Sequence, residues 1–134
     1  SNVCGDEVVS LLPEDPDGSA RSILDQIQFT VPNRKIAVII SDTFGRPWRE
    51  GHTNVAIGLA GMDPFLDYRG TKDAFGNILE VTRIAVADEL ASAAELVMGK
   101  ANNIPVAIVR GFNFSEGTNK AINIIRERSK DLFR

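Results

Sequence analysis

Asp42 and Thr43 stand together directly after a run of branched apolar residues, Lys35-Ile36-Ala37-Val38-Ile39-Ile40-Ser41. A carboxylate and a hydroxyl at the end of a buried strand are hard oxygen ligands placed where side chains leave the core, and magnesium or manganese suits them. Glu50, Asp63 and Asp67 are further carboxylates nearby, but their spacing matches no established metal loop. The plain alternative is that Asp42 accepts backbone amides and shapes a turn. Arg46, Arg49 and Arg69 lie among glycines, where guanidinium groups can hold phosphate or carboxylate in a bidentate way. Paired with Glu50 or Asp67, they would instead be ordinary exposed ion pairs. A third stretch, Met98-Gly99-Lys100-Ala101-Asn102-Asn103-Ile104-Pro105, joins a helix end to a strand-like run, and its backbone and Lys100 could hold a phosphate or a base. Phosphate prefers the opposite end of a helix, and a glycine-ended helix with a cation after it accounts equally for Gly99 and Lys100.

Other chemistry is scarce. No Gly-x-x-x-x-Gly-Lys-Ser/Thr loop occurs, and Gly58-Leu59-Ala60-Gly61 is too short for a dinucleotide fingerprint. His52 is the single histidine and Cys4 the single cysteine, which removes multi-histidine zinc sites, internal disulfides and cysteine-rich zinc sites. Cys4 sits near Asp6 and Glu7, without the positive neighbours that activate a thiol. His52 is read as a structural hydrogen-bonding group before a lone acid or base, and Asn113-Phe114-Ser115 as a chance glycosylation match.

These residues need a scaffold. The 134 residues, 43% hydrophobic and 25% charged, fit one compact domain. Fifteen Lys plus Arg against eighteen Asp plus Glu leave a net charge of −3, which lacks the basic excess of nucleic-acid binders. No apolar run approaches the roughly 20 residues that cross a bilayer, and the lone cysteine suits a reducing cytoplasm. The chain opens on Ser1-Asn2, which reads either as a scar of tag removal or as the interior of a longer protein.

Asp15, Pro16 and Asp17 are helix-start residues, and Ala20, Ile23, Leu24 and Ile27 give one apolar face, predicting a helix over 16–29. A second helix is expected over 83–98 on Val86, Leu90, Ala93, Ala94 and Val97, ended by Gly99. A third is expected over 118–132 behind a Ser115 or Thr118 cap. Buried strands are expected at 35–41 and 104–110, with a shorter one at 7–12. The segment 42–51 reads as a loop, 52–59 and 65–68 as extended, and 73–77 as a turn. The interspersed order predicts a single α+β, or mixed α/β, domain with a mixed sheet and about three helices.

The sequence resembles the glutamate ligases that elongate the deazaflavin coenzyme F-420. The resemblance rests on Leu12-Pro13-Glu14-Asp15-Pro16-Asp17 with Ser19-Ala20-Arg21, on Ser41-Asp42-Thr43-Phe44-Gly45-Arg46-Pro47-Trp48-Arg49, and on Thr53-Asn54-Val55-Ala56-Ile57-Gly58. Asp67-Tyr68-Arg69-Gly70, Val86-Ala87-Asp88-Glu89-Leu90 and Met98-Gly99-Lys100 follow in the family's order, so it spans nearly the whole chain. It implies a GTP-dependent reaction in which a carboxyl of the coenzyme precursor becomes an acyl phosphate and the amine of L-glutamate displaces phosphate to form an amide. Mg2+ or Mn2+, together with K+, would assist.

The resemblance also implies roles. Asp42 matches a ligand of one metal and the catalytic carboxylate, Thr43 a ligand of a second metal, and Asn2 and the stretch from Met98 to Pro105 nucleotide contacts. Arg46, Arg49 and Arg69 are the candidates for acidic substrate and phosphate. Members often carry Gln where this chain has Lys100, and a protonated lysine cannot ligate a metal. The family's other metal-binding aspartate would fall just upstream of Ser1. The family is also about twice this length and forms homodimers, so the resemblance makes residues 1–134 the carboxy-terminal portion of a ligase, a fragment inactive without its amino-terminal half. A noncatalytic ligand-binding or assembly module that keeps the ligase fold is the alternative.

Overall fold

The computed structural model describes residues 11–131. Most of the strand expected at 7–12, together with Asn2, Cys4 and Leu132, lies outside them; the described Leu11 and Leu12 are exposed and belong to no strand.

Helix α1 runs over Pro16–Thr30. Asp15 caps it, its Oδ1 accepting the Gly18 amide at 2.9 Å, and Pro16 occupies the first turn. Two strands follow as one long antiparallel hairpin, β1 (Val38–Arg46) and β2 (Arg49–Ala60), joined by Pro47 and Trp48. The expected loop at 42–51 is therefore ladder on both sides of a tight turn. Charges and Gly45 suggested a loop, but cross-strand pairing from Phe44 with Thr53 to Arg46 with Arg49 satisfies the backbone instead.

The hairpin lies between two helices. Ile36, Val38 and Ile40 turn to Ala20, Leu24 and Ala60 on the α1 side, while Ala37 and Ile39 turn to Leu59, Met62, Val86 and Ala87 on the side of α2 (Val86–Met98). Period-two alternation thus sends one apolar run into two cores, the double-sided burial its composition predicts. Gly58 permits the close approach of α1, since a Cβ there would stand 2.3 Å from the Pro16 carbonyl oxygen.

Two carboxylates fasten this arrangement. Asp17, buried in the first turn of α1, accepts the Leu59 amide at 2.9 Å and the Ala121 amide at 2.8 Å. Asp88 of α2 accepts the Ala56 amide at 2.9 Å, beside the register shift between Ile40 and Ser41.

A second antiparallel pair, β3 (Leu66–Asp67) with β4 (Arg83–Ile84), carries the expected turn, closed by the Gly76 amide on the Asp73 carbonyl at 3.1 Å. Residues 83–84 are thus strand rather than helix, and α2 begins later than its apolar pattern suggested. Its buried face is Val86, Ala87 and Ala91, whereas Val97 is exposed.

Two further expectations fail. Residues 104–110 form no strand, and Val106 and Ile108 are 71% and 74% exposed. β-branched composition favours a pleated surface only where a neighbouring strand supplies the ladder, and Pro105 withholds one donor besides. The expected helix over 118–132 is two short 3-10 turns, Ala121–Ile124 and Arg128–Lys130. The Asn123 side chain accepts the Lys120 amide at 2.9 Å, and Asp17 fixes the Ala121 amide; branched Ile122, Ile124 and Ile125 add little helical preference against those restraints. What remains is one small α+β domain, as the interspersed pattern predicts, with both ladders antiparallel.

Candidate functional site

Asp42 and Thr43 are not at a strand end but in the middle of β1, where adjacent side chains leave on opposite faces. Asp42 follows Ile40 on the α1 side and is exposed; Thr43 follows Ile39 on the α2 side and is half-buried. The Asp42 carboxylate accepts the Thr43 amide at 2.7 Å. That is the local backbone bond of the plain alternative, made in a strand rather than a turn.

Thr43 anchors a network reaching across the hairpin to α2. Its hydroxyl donates to Asn54 Oδ1 at 3.3 Å. Asn54 is buried, and its carbonyl accepts the Ser92 hydroxyl at 2.8 Å, while Ser92 also meets the Thr53 hydroxyl at 2.7 Å. The Lys100 ammonium, just past the end of α2, donates to the Thr43 hydroxyl. Two segments distant in sequence are therefore brought into contact, 41–49 and 98–105. In the second, Gly99 and Asn103 have positive φ of 58° and 54°, and every residue from Gly99 to Pro105 is exposed while Met98 is half-buried.

The arginines divide. Arg46 and Arg49 pair across the hairpin end. Arg46 Nη2 donates to the Glu50 backbone carbonyl at 3.0 Å, not to its carboxylate, and its Nε is enclosed with no partner among the described residues. Arg69 lies elsewhere and is committed to Asp67, with Nε bonds of 2.9 and 3.0 Å and an Nη2 bond of 2.5 Å. The Arg69 side chain, and after it the Arg69 amide, hold Asp67 at about 2, below the ordinary 3.8, and Asp67 in turn raises Arg69. Arg83 lies 3.8 Å from the same carboxylate and stacks on Phe65 at 3.9 Å. For Arg69 the ordinary ion pair is what the fold shows.

Asp63 is likewise structural, accepting the Phe65 amide at 2.9 Å and Asn119 at 2.7 Å. Among the described residues no cluster of three or more His, Cys, Asp or Glu side chains is placed to hold a metal. No helix there is long and apolar enough to cross a membrane. Sequence reasoning missed Asn54 and Ser92, whose polar types in an otherwise apolar strand and helix face were the available signal.

Comparison with known proteins places the chain in a family. Residues 1–111 match the family described as F420-0:Gamma-glutamyl ligase. A protein named Coenzyme F420:L-glutamate ligase from Methanothermobacter thermautotrophicus is 50% identical, the match taking in 100% of this chain and 54% of that protein. Proteins of the same name from Methanocaldococcus jannaschii and Methanopyrus kandleri are 44% and 47% identical, each over 94% of this chain and 51% and 52% of their own length. The chain spans about half the length of these relatives. With a match over residues 1–111, most of its length, the chain belongs to the F420-0:Gamma-glutamyl ligase family.

Proposed function

We propose that this chain is part of a ligase that joins L-glutamate to a deazaflavin coenzyme F-420 precursor, and that within it the chain is the carboxy-terminal portion. The observation that carries the reading is the match of residues 1–111 to the F420-0:Gamma-glutamyl ligase family, together with relatives named Coenzyme F420:L-glutamate ligase at 44–50% identity. In this reading GTP activates the precursor carboxyl as an acyl phosphate, and the amine of glutamate displaces phosphate. The open backbone from Gly99 to Pro105 is where a nucleotide would lie, and Arg46 and Arg49 at the hairpin end are the cations for an acidic group of substrate or phosphate.

Asp42 is the carboxylate that would enter a Mg2+ or Mn2+ site, whose role would be to offset charge on phosphoryl oxygens. Among the described residues Asp42 has no cluster of His, Cys, Asp or Glu side chains around it that could complete a metal site. The reading therefore draws the remaining ligands, and any K+ site, from outside them. It also implies a cytoplasmic homodimer.

A noncatalytic assembly module that keeps the fold is the second reading, favoured by the ammonium that faces Thr43. One experiment separates the two. This chain is grafted in place of the matching half of the Methanothermobacter relative, and the chimera is supplied with GTP, L-glutamate, Mn2+ and the precursor. A glutamate adduct in the mass spectrum, lost with Asp42→Ala, is the result expected of the ligase. A folded chimera that yields none supports the module. The 134-residue chain alone should give no adduct.

A further inference from the structure

The hydroxyl of Thr43 already has two partners. It gives its proton to Asn54 Oδ1 at 3.3 Å and accepts the Lys100 ammonium on one of its two lone pairs. The Asn54 side chain is buried, and its backbone carbonyl is tied to Ser92 of α2 at 2.8 Å, which holds this part of β2 against the helix.

Lys100 is delivered by the end of that same helix. Gly99 turns the chain with φ of 58°, and a Cβ there would stand 2.6 Å from the Asn102 side chain, so the turn is built around glycine. α2 has no basic residue in its own last turn, and a positive charge just beyond it faces the negative end of the helix dipole. Helix end, glycine turn and Asn54 together place an ammonium on Thr43.

A metal ion would have to use the remaining lone pair of Thr43 with the ammonium already on the other, so two cations would repel across one oxygen, and an ammonium has no acceptor with which to join a coordination shell. The residues around Thr43 therefore do not fit the second divalent cation that the family pattern implies. We propose that the ammonium of Lys100 replaces that cation, giving this chain a fixed positive charge beside Thr43 and one divalent ion fewer than a ligase with Gln at this position.

The proposal rests on the ligase reading for the cation it replaces, but its readout is ion binding, not turnover. Mn2+ is titrated calorimetrically into the chimera, whose other half supplies the remaining ligands, with this chain as wild type, as Lys100→Gln and as Lys100→Gln with Thr43→Ala. Lys100→Gln should bind one more Mn2+ per chain than wild type, and the added Thr43→Ala should remove it. Lys100 is exposed, so the exchange should leave the circular dichroism unchanged. Equal stoichiometry in wild type and Lys100→Gln, or an extra ion that survives Thr43→Ala, overturns the proposal. A chimera that makes no adduct while Lys100→Gln still gains its ion would count against the ligase reading alone.

Discussion

The two ends of one hairpin live under different physics. At its root, Val38 pairs with Ala60 and Ile39 with Leu59, helices cover both faces, and Leu59 is 2% exposed. Toward the turn the same ladder continues, but Asp42, Phe44 and Arg49 are exposed, and their side chains are spent on polar neighbours or on none. Asp17 and Asp42 express the contrast within one residue type. Asp17 is buried and bonds two amides from distant segments, whereas Asp42 is exposed and bonds its own neighbour. Stability is concentrated where carboxylates meet backbone in the core, and groups suited to chemistry sit where the ladder outruns its covering helices.

The sharpest way to break this contrast is at the root. Leu24 is 1% exposed beneath the hairpin, so Leu24→Ala should lower unfolding free energy by about 3–4 kcal/mol in a urea titration. A loss near that of a surface change would mean that the α1 side is not a core. Asp17→Ala comes next, at about 2–3 kcal/mol, since it strands the Leu59 and Ala121 amides in the interior. Asp17→Asn, which keeps an acceptor oxygen, should lose less; equal losses would show that charge rather than hydrogen bonding dominates.

Further along the hairpin, Asp42→Ala should change stability by less than about 0.5 kcal/mol. In the chimera the same substitution should cost about a hundredfold or more in adduct formation, because charge compensation at a phosphoryl group is a matter of several kcal/mol. A large stability loss would place Asp42 with Asp17 as a structural group.

The smallest effect is expected at the exposed Asp67–Arg69 pair. With Asp67 lowered to about 2 from 3.8, its contribution is present above the unfolded value and disappears as pH falls through the folded one. Asp67→Asn should flatten stability against pH within that acid window alone, and added salt should shrink the difference. A difference that persists at pH below the folded value, where Asp67 is protonated, or that is unchanged in high salt would point to a packing role for Asp67.

Much of this was legible in local patterns. Asp15-Pro16-Asp17 with Ala20 and Leu24 marks α1, because caps and an apolar face act within a few turns of chain. Ile36 to Ile40 marks an apolar run packed on two faces, strand from Val38 rather than from Lys35, because branched residues without polar alternation have no solvent side. The segment 104–110 has the same composition and takes no ladder, since pairing depends on a neighbour that composition does not supply.

By itself, then, the sequence determined the helix start at Pro16, the apolar run of β1, the turn at Asp73 and, through its motifs, the ligase family. Tertiary structure alone decided that Asp42 and Thr43 point to opposite faces, that Asp17 is a buried fastening rather than only a helix-dipole partner, and that Lys100 closes on Thr43. The physical reason is range. Capping and periodicity are set by residues three or four apart, whereas these contacts join segments 42, 57 and 104 positions apart, which no local preference encodes.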